Sequence, residues 1–116
     1  MPTPPELPGI PPEHALLEIE ARVTRDTYLL EVAGELDRST VGMLESRLGD
    51  ADRSGRSRIL VDVGKLAFMD SAGLRALLRV AERERTRDRV RVVAPSRAVR
   101  RVLELTGTEA HMPVAE

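Results

Sequence analysis

Cysteine is absent from the 116 residues, which excludes a disulfide scaffold, a thiolate metal site and thiol catalysis, and suits a reducing compartment. Tryptophan is absent too, and only Tyr28 and Phe68 are aromatic. The core must therefore come from Leu, Val, Ile, Ala and Met, and there is little with which to stack single-stranded bases. Charge is nearly balanced, at a formal −1, so no global field draws the chain to a polyanion or an anionic membrane. No apolar run approaches the roughly 18 residues of a membrane span, and the start, Met1 to Pro12, lacks the basic residues and apolar stretch of a secretory signal. The expectation is a soluble cytoplasmic protein with one core, since a domain commonly uses about 100 to 150 residues.

What is present begins with proline. Six of the eight prolines fall in the first twelve residues, where missing N–H groups and fixed backbone angles prevent helix and central strand. Residues 1–13 read as a flexible Pro-rich tail, and residues 14–116 as the folded domain. Leu16 to Val23 and Tyr28 to Ala33 approach the period-two alternation of half-buried strands, and the polar Thr24 to Thr27 between them predicts an antiparallel hairpin. Val41, Leu44, Leu48 and Ala51 recur at helical spacing behind capping candidates Asp37, Ser39 and Thr40, giving a first helix ending near Asp50. Ile59 to Val63 is short, nearly continuous and rich in β-branched residues, the character of a parallel strand buried on both faces.

A second helix starts beside Ser71, with Leu74, Leu77, Leu78 and Ala81 on one face. Val90 to Ala94 reads as a fourth strand. Pro95 and Ser96 open a third helix with Val99, Val102 and Leu103 inward and Gly107 as its stop, and Met112 to Val114 offers a last short strand. The order ββαβαβα, with a final β, predicts an α/β fold: a mostly parallel sheet of four to five strands with an N-terminal hairpin, helices packed on it, and functional loops at the strand carboxyl ends.

Charge is unevenly placed. Residues 75–101 hold ten arginines against Glu82, Glu84 and Asp88, a local +7, and the remainder carries −8. These arginines interleave with acids at positions expected on outer helix faces and an edge strand, where solvated surface is the ordinary reading, so no direct nucleic-acid partner is expected. His14 and His111 are isolated, and no metal site is assigned.

Two segments carry a family resemblance: Val32 to Thr40, containing Gly34-Glu35-Leu36-Asp37, and Leu60 to Val63 leading into Phe68-Met69-Asp70-Ser71-Ala72-Gly73-Leu74. In this order and separation they resemble the STAS-domain anti-sigma factor antagonists of bacteria, and Val92 to Pro95 and Val102 to Gly107 extend the resemblance from about residue 15 to the C-terminus. The resemblance implies a single STAS-type domain that is a phosphorylatable binding module and not an enzyme. In the family the serine directly after the Asp of this motif is the regulatory phosphorylation site, which is Ser71. Ala72 follows it where Thr or Ser is frequent, leaving one hydroxyl in the loop. The implied cycle is partner switching in a stress response: the unphosphorylated chain binds an anti-sigma factor that is also a serine kinase, freeing a sigma factor for transcription. Phosphorylation of Ser71 ends the binding, and a PPM-type phosphatase restores it. ATP and Mg²⁺ would belong to the kinase, and neither a cofactor, a membrane nor a small-molecule ligand is expected for this chain.

The residues themselves permit these roles. A phosphate on Ser71 at a helix N-terminus is tolerable to the fold, whereas in a tight interface beside Asp70 and Asp37 its desolvation would break a complex. Ser71 can equally be read as a helix N-cap. Asp37 is a cap or, as the family implies, part of the partner-binding surface, with Arg38, Asp70, Ser71, Ala72, Gly73 and Leu74. Gly73 admits close approach of a partner backbone or supplies packing room between helix and sheet, and Leu74 offers an apolar contact to a partner. The competing reading is a STAS accessory subunit of a lipid-trafficking transporter ATPase, without regulated phosphorylation. A hydrolase is disfavoured because Met69 stands where the first glycine of Gly-x-Ser-x-Gly would be. Two departures from the family are evident: Thr108 follows Gly107 where an apolar residue is usual, and the chain ends at Glu116 where many members continue into a further helix, so a short or missing C-terminal helix is expected.

Overall fold

The structure is a computed structural model and describes residues 16–83, 89–109 and 114–115. The Pro-rich tail, the domain boundary at residue 14, both histidines and the Met112–Pro113 part of the last strand lie outside the described residues.

Strands β1 (Leu17–Val23) and β2 (Thr27–Leu36) form the expected hairpin, paired antiparallel from Leu17 opposite Gly34 to Val23 opposite Tyr28. Their alternation buries Leu17, Ile19, Leu30, Val32 and Leu36 on one side and leaves Glu18 and Glu20 in water. Helix α1 (Val41–Arg53) presents Leu44, Leu48 and Ala51 to the core and runs a turn beyond the Asp50 limit read from its apolar spacing. Strand β3 (Arg58–Met69) pairs parallel with β2 and with β4 (Val90–Val93). Helix α2 (Ser71–Arg83) and helix α3 (Arg97–Thr106) follow β3 and β4, and β5 (Val114–Ala115) pairs parallel with β4. The five strands lie in the order of the chain, so each crossover joins neighbouring strands and only the hairpin is antiparallel.

Strand β3 is more than twice the length expected. Its inward residues are Ile59, Val61 and Val63, then Leu66, then Met69, all nearly inaccessible. The step of two becomes a step of three because two register shifts against β2, one between Glu31 and Ala33 and one between Gly34 and Glu35, each insert an extra residue into β3. Bulges of this kind erase the alternation by which a strand is read from sequence. The expectation of burial on both faces also needs correction: Leu60 and Asp62, pointing away from Ile59, Val61 and Val63, are only half-buried.

Tertiary ties close the far end of the sheet. The mostly buried Arg89 side chain directs Nη1 to Asp52 Oδ1 at 2.6 Å and Nε to the Arg56 carbonyl at 3.0 Å, linking the end of α1 and its following loop to the start of β4. Ser96 caps α3 by accepting the Val99 N–H at 3.2 Å, and Gly107 stops it with φ of 69°, as expected of a residue that must enter the left-handed region. Val99 and Leu103 join the common core and Val102 packs at its margin.

Candidate functional site

Strands β2 and β3 run parallel and end together, with Leu36 in register with Met69. The next residues, Asp37 and Asp70, therefore leave the sheet side by side at its carboxyl edge, where ligand and partner sites of open α/β sheets gather. The Asp70 N–H donates to the Leu36 carbonyl at 3.2 Å, carrying the pairing one step beyond the strands.

The Asp70 carboxylate does two things. Oδ1 accepts the Gly73 N–H at 2.9 Å, which makes Asp70 the N-cap of α2, and Oδ2 accepts the Arg38 N–H of the β2–α1 loop at 3.4 Å. One side chain thus satisfies a first-turn donor and fastens the neighbouring loop. Ser71 is consequently the first helical residue and not the cap. Its side chain is exposed at the positive end of the helix. Of the two roles open to Ser71 in the sequence, the structural one is occupied by its neighbour.

The β2–α1 loop is organised around Asp37 and Thr40. Asp37 Oδ1 accepts from the Ser39 N–H at 2.9 Å and from the Ser39 hydroxyl at 2.7 Å, with the Thr40 hydroxyl farther away at 3.3 Å. The Ser39 hydroxyl bond chiefly holds the Asp37 pKa below its ordinary value, against a weaker opposing effect of desolvation. Thr40 is the sole buried polar residue among the described residues; its hydroxyl accepts the Asp37 N–H and donates to the Glu35 carbonyl, both at 2.9 Å. None of the three capping candidates uses its side chain on α1, and the Val41 N–H is taken by the Asp37 carbonyl at 2.9 Å. Thr40 was legible only as a possible cap; its role in stitching the loop depends on the path of the chain around it.

Of the remaining residues assigned to the surface, Arg38 is exposed and Ala72 half-buried. Gly73 and Leu74 are not surface groups. Leu74 is 6% exposed and belongs to the core, which overturns its reading as an apolar contact for a partner. A side chain at Gly73 would collide with the Leu36 carbonyl oxygen and with Met69, so the close approach this glycine permits is that of its own β2 strand. Exposed apolar area near the site comes instead from Phe68 at 47% and from Met43, in the first turn of α1, at 48%. Neither was assigned to the surface from sequence, although Phe68 opens the motif Phe68 to Leu74 and is one of the two aromatics. The bulge between Leu66 and Phe68 turns the aromatic ring outward.

The edge therefore offers an accessible serine hydroxyl flanked by two carboxylates, an exposed arginine and apolar side chains. Among the described residues no cluster of His, Cys, Asp and Glu is arranged to hold a metal, and no helix is long and apolar enough to cross a membrane.

Comparison with known proteins places this edge in a wider setting. A family model described as "Mlab, STAS domain" matches residues 19–113. The anti-sigma F factor antagonist of Lysinibacillus sphaericus is 32% identical over 87 residues, covering 73% of this chain and 74% of that protein. Among solved structures, an anti-sigma factor antagonist from Mycobacterium paratuberculosis superposes with a TM-score of 0.73 at 26% identity, covering 84% of both chains. The anti-sigma factor antagonist SpoIIAA in its unphosphorylated form superposes with a TM-score of 0.62 at 30% identity, covering 86% of this chain and 88% of that one. The match takes in both strand ends and both loops of the Asp37–Asp70 edge, and the chain belongs to the STAS-domain family.

Proposed function

We propose that this chain is an anti-sigma factor antagonist in which the Asp37–Asp70 edge binds an anti-sigma factor and phosphorylation of Ser71 ends the binding. The observation that carries the reading is the exposed Ser71 hydroxyl at the first position of α2, with the capping bond made by Asp70. The names of the relatives, and the existence of SpoIIAA in a solved phosphorylated form at 29% identity, support it. The partner is an anti-sigma factor with serine-kinase activity and the phosphate is removed by a PPM-type phosphatase, so the chain is a substrate and a binding module, not an enzyme, acting in the cytoplasm.

The physical argument for the switch is local. The N–H groups and dipole of α2 accept a phosphate on Ser71 without unfolding the domain. A docked partner would have to desolvate roughly two added negative charges beside Asp70 and Asp37. A loss of about 3 kcal/mol would weaken a complex roughly a hundredfold. The test is a pull-down from source-cell lysate with wild-type, Ser71→Ala and Ser71→Asp baits and mass-spectrometric identification of what is bound. A kinase-type anti-sigma factor should be recovered by the first two and not the third. Equal recovery of an unrelated partner, such as a transporter ATPase, by all three would sink the regulatory reading.

A further inference from the structure

Resting on the reading of Ser71 as a phosphorylation site, we propose that Arg75 is a built-in clamp for the phosphate, pairing with phospho-Ser71 across one turn of α2. Both residues are exposed and both lie on the same helix, four positions apart. Side chains at that spacing are neighbours on the helix surface, and an acid placed N-terminal to a base is the favourable orientation. A planar guanidinium matches a phosphate bidentately, which suits arginine better than lysine for this purpose.

Arg75 is also available. Among the described residues it makes no ion pair, whereas Arg79, the next arginine on the helix, is engaged by Glu45 at 2.8 Å. The two carboxylates beside Ser71 are already engaged. Asp70 is committed to the Gly73 and Arg38 N–H groups, and Asp37 to Ser39 and Thr40. Arg38, on the adjoining loop, is exposed and contributes its backbone N–H to Asp70. A phosphate on Ser71 thus meets repulsion from two fixed carboxylates, and Arg75, one turn away on the same helix and without an ion pair among the described residues, is placed to offset it. The clamp has two consequences. The phosphorylated chain is held in its dianionic, partner-excluding form, and a phosphatase must displace a guanidinium to reach the ester.

The test uses the full chain with phosphoserine installed at position 71 during translation, in wild-type, Arg75→Gln and Arg79→Gln backgrounds, each checked for native circular dichroism. The phosphate is titrated by ³¹P NMR. Its second ionisation, ordinarily near pH 6, should lie about 0.3–0.5 unit lower in the wild type than in Arg75→Gln, a two- to threefold difference in acidity. Arg79→Gln should follow the wild type, and about 1 M salt should remove the difference because the pair is exposed. Identical titration of wild type and Arg75→Gln, or an equal shift in Arg79→Gln, would overturn the clamp. Because the phosphoserine is installed during translation, the result is independent of whether a cellular kinase modifies Ser71. That separate question is answered by the intact mass of the protein isolated from its source.

Discussion

At the scale of single residues, the site depends on short polar side chains that satisfy backbone groups beside them. Asp37 illustrates how this couples to pH. Its folded pKa is depressed chiefly by the Ser39 hydroxyl, while in the unfolded chain it takes an ordinary value of about 3.9. A carboxyl with a lowered folded pKa stabilises the fold fully above its unfolded value, and that contribution disappears as pH falls through the folded one. The loop should therefore loosen only below about pH 4. Ser39→Ala should raise the Asp37 pKa part of the way toward its ordinary value, the Ser39 N–H remaining in place, as read by carboxyl-carbon NMR titration. An unchanged titration would show that the hydroxyl is not the cause. Asp70 is the other pivotal residue, and its importance as a cap was concealed in the sequence because it stands beside a serine that could fill the same role.

At the scale of elements, the position of α2 is set by how closely its first turn approaches the end of β2. Gly73 has no side chain to separate them, and Asp70 ties both to the β2–α1 loop. Gly73→Ala drives a methyl against the Leu36 carbonyl and Met69, and since backbone yields less readily than a flexible side chain, the helix must tilt or slide. The expected cost is about 1–3 kcal/mol, measured as a lower urea midpoint with an unchanged m-value. Partner recovery should fall as well, because Ser71 moves with the helix. A variant as stable as wild type would show that α2 has room the structure does not reveal. The bulges of β3 belong to this scale too: they turn Phe68 outward and set where Asp70 leaves the sheet.

At the scale of the whole molecule, one aliphatic core joins the hairpin, β3, β4 and all three helices, so stability is shared while the site is confined to one edge. Leu30 is fully inaccessible in β2 and stands opposite Val61 of β3. Leu30→Ala should cost about 2–5 kcal/mol, a large part of the roughly 5–15 kcal/mol of a typical domain. Its urea transition should move strongly while the fraction that remains folded still recovers the partner. Loss of partner from fully folded Leu30→Ala would mean that core and edge are not separable. The sequence by itself determined the hairpin, three amphipathic helices and the parallel order of the sheet, because apolar periodicity and turn chemistry are local properties written in neighbouring residues. The resemblance carried by its two motifs also implied that Asp37, Asp70 and Ser71 lie together. What only the tertiary structure decided was which member of Asp70-Ser71 caps α2, that Leu74 and Gly73 face inward, that β3 continues through two bulges to Met69, and that Phe68 and Met43 stand in water. The course of β3 and the tie from Asp70 to the β2–α1 loop depend on contacts between residues about thirty apart, and the step of three at the bulges hides from any reading based on a regular period.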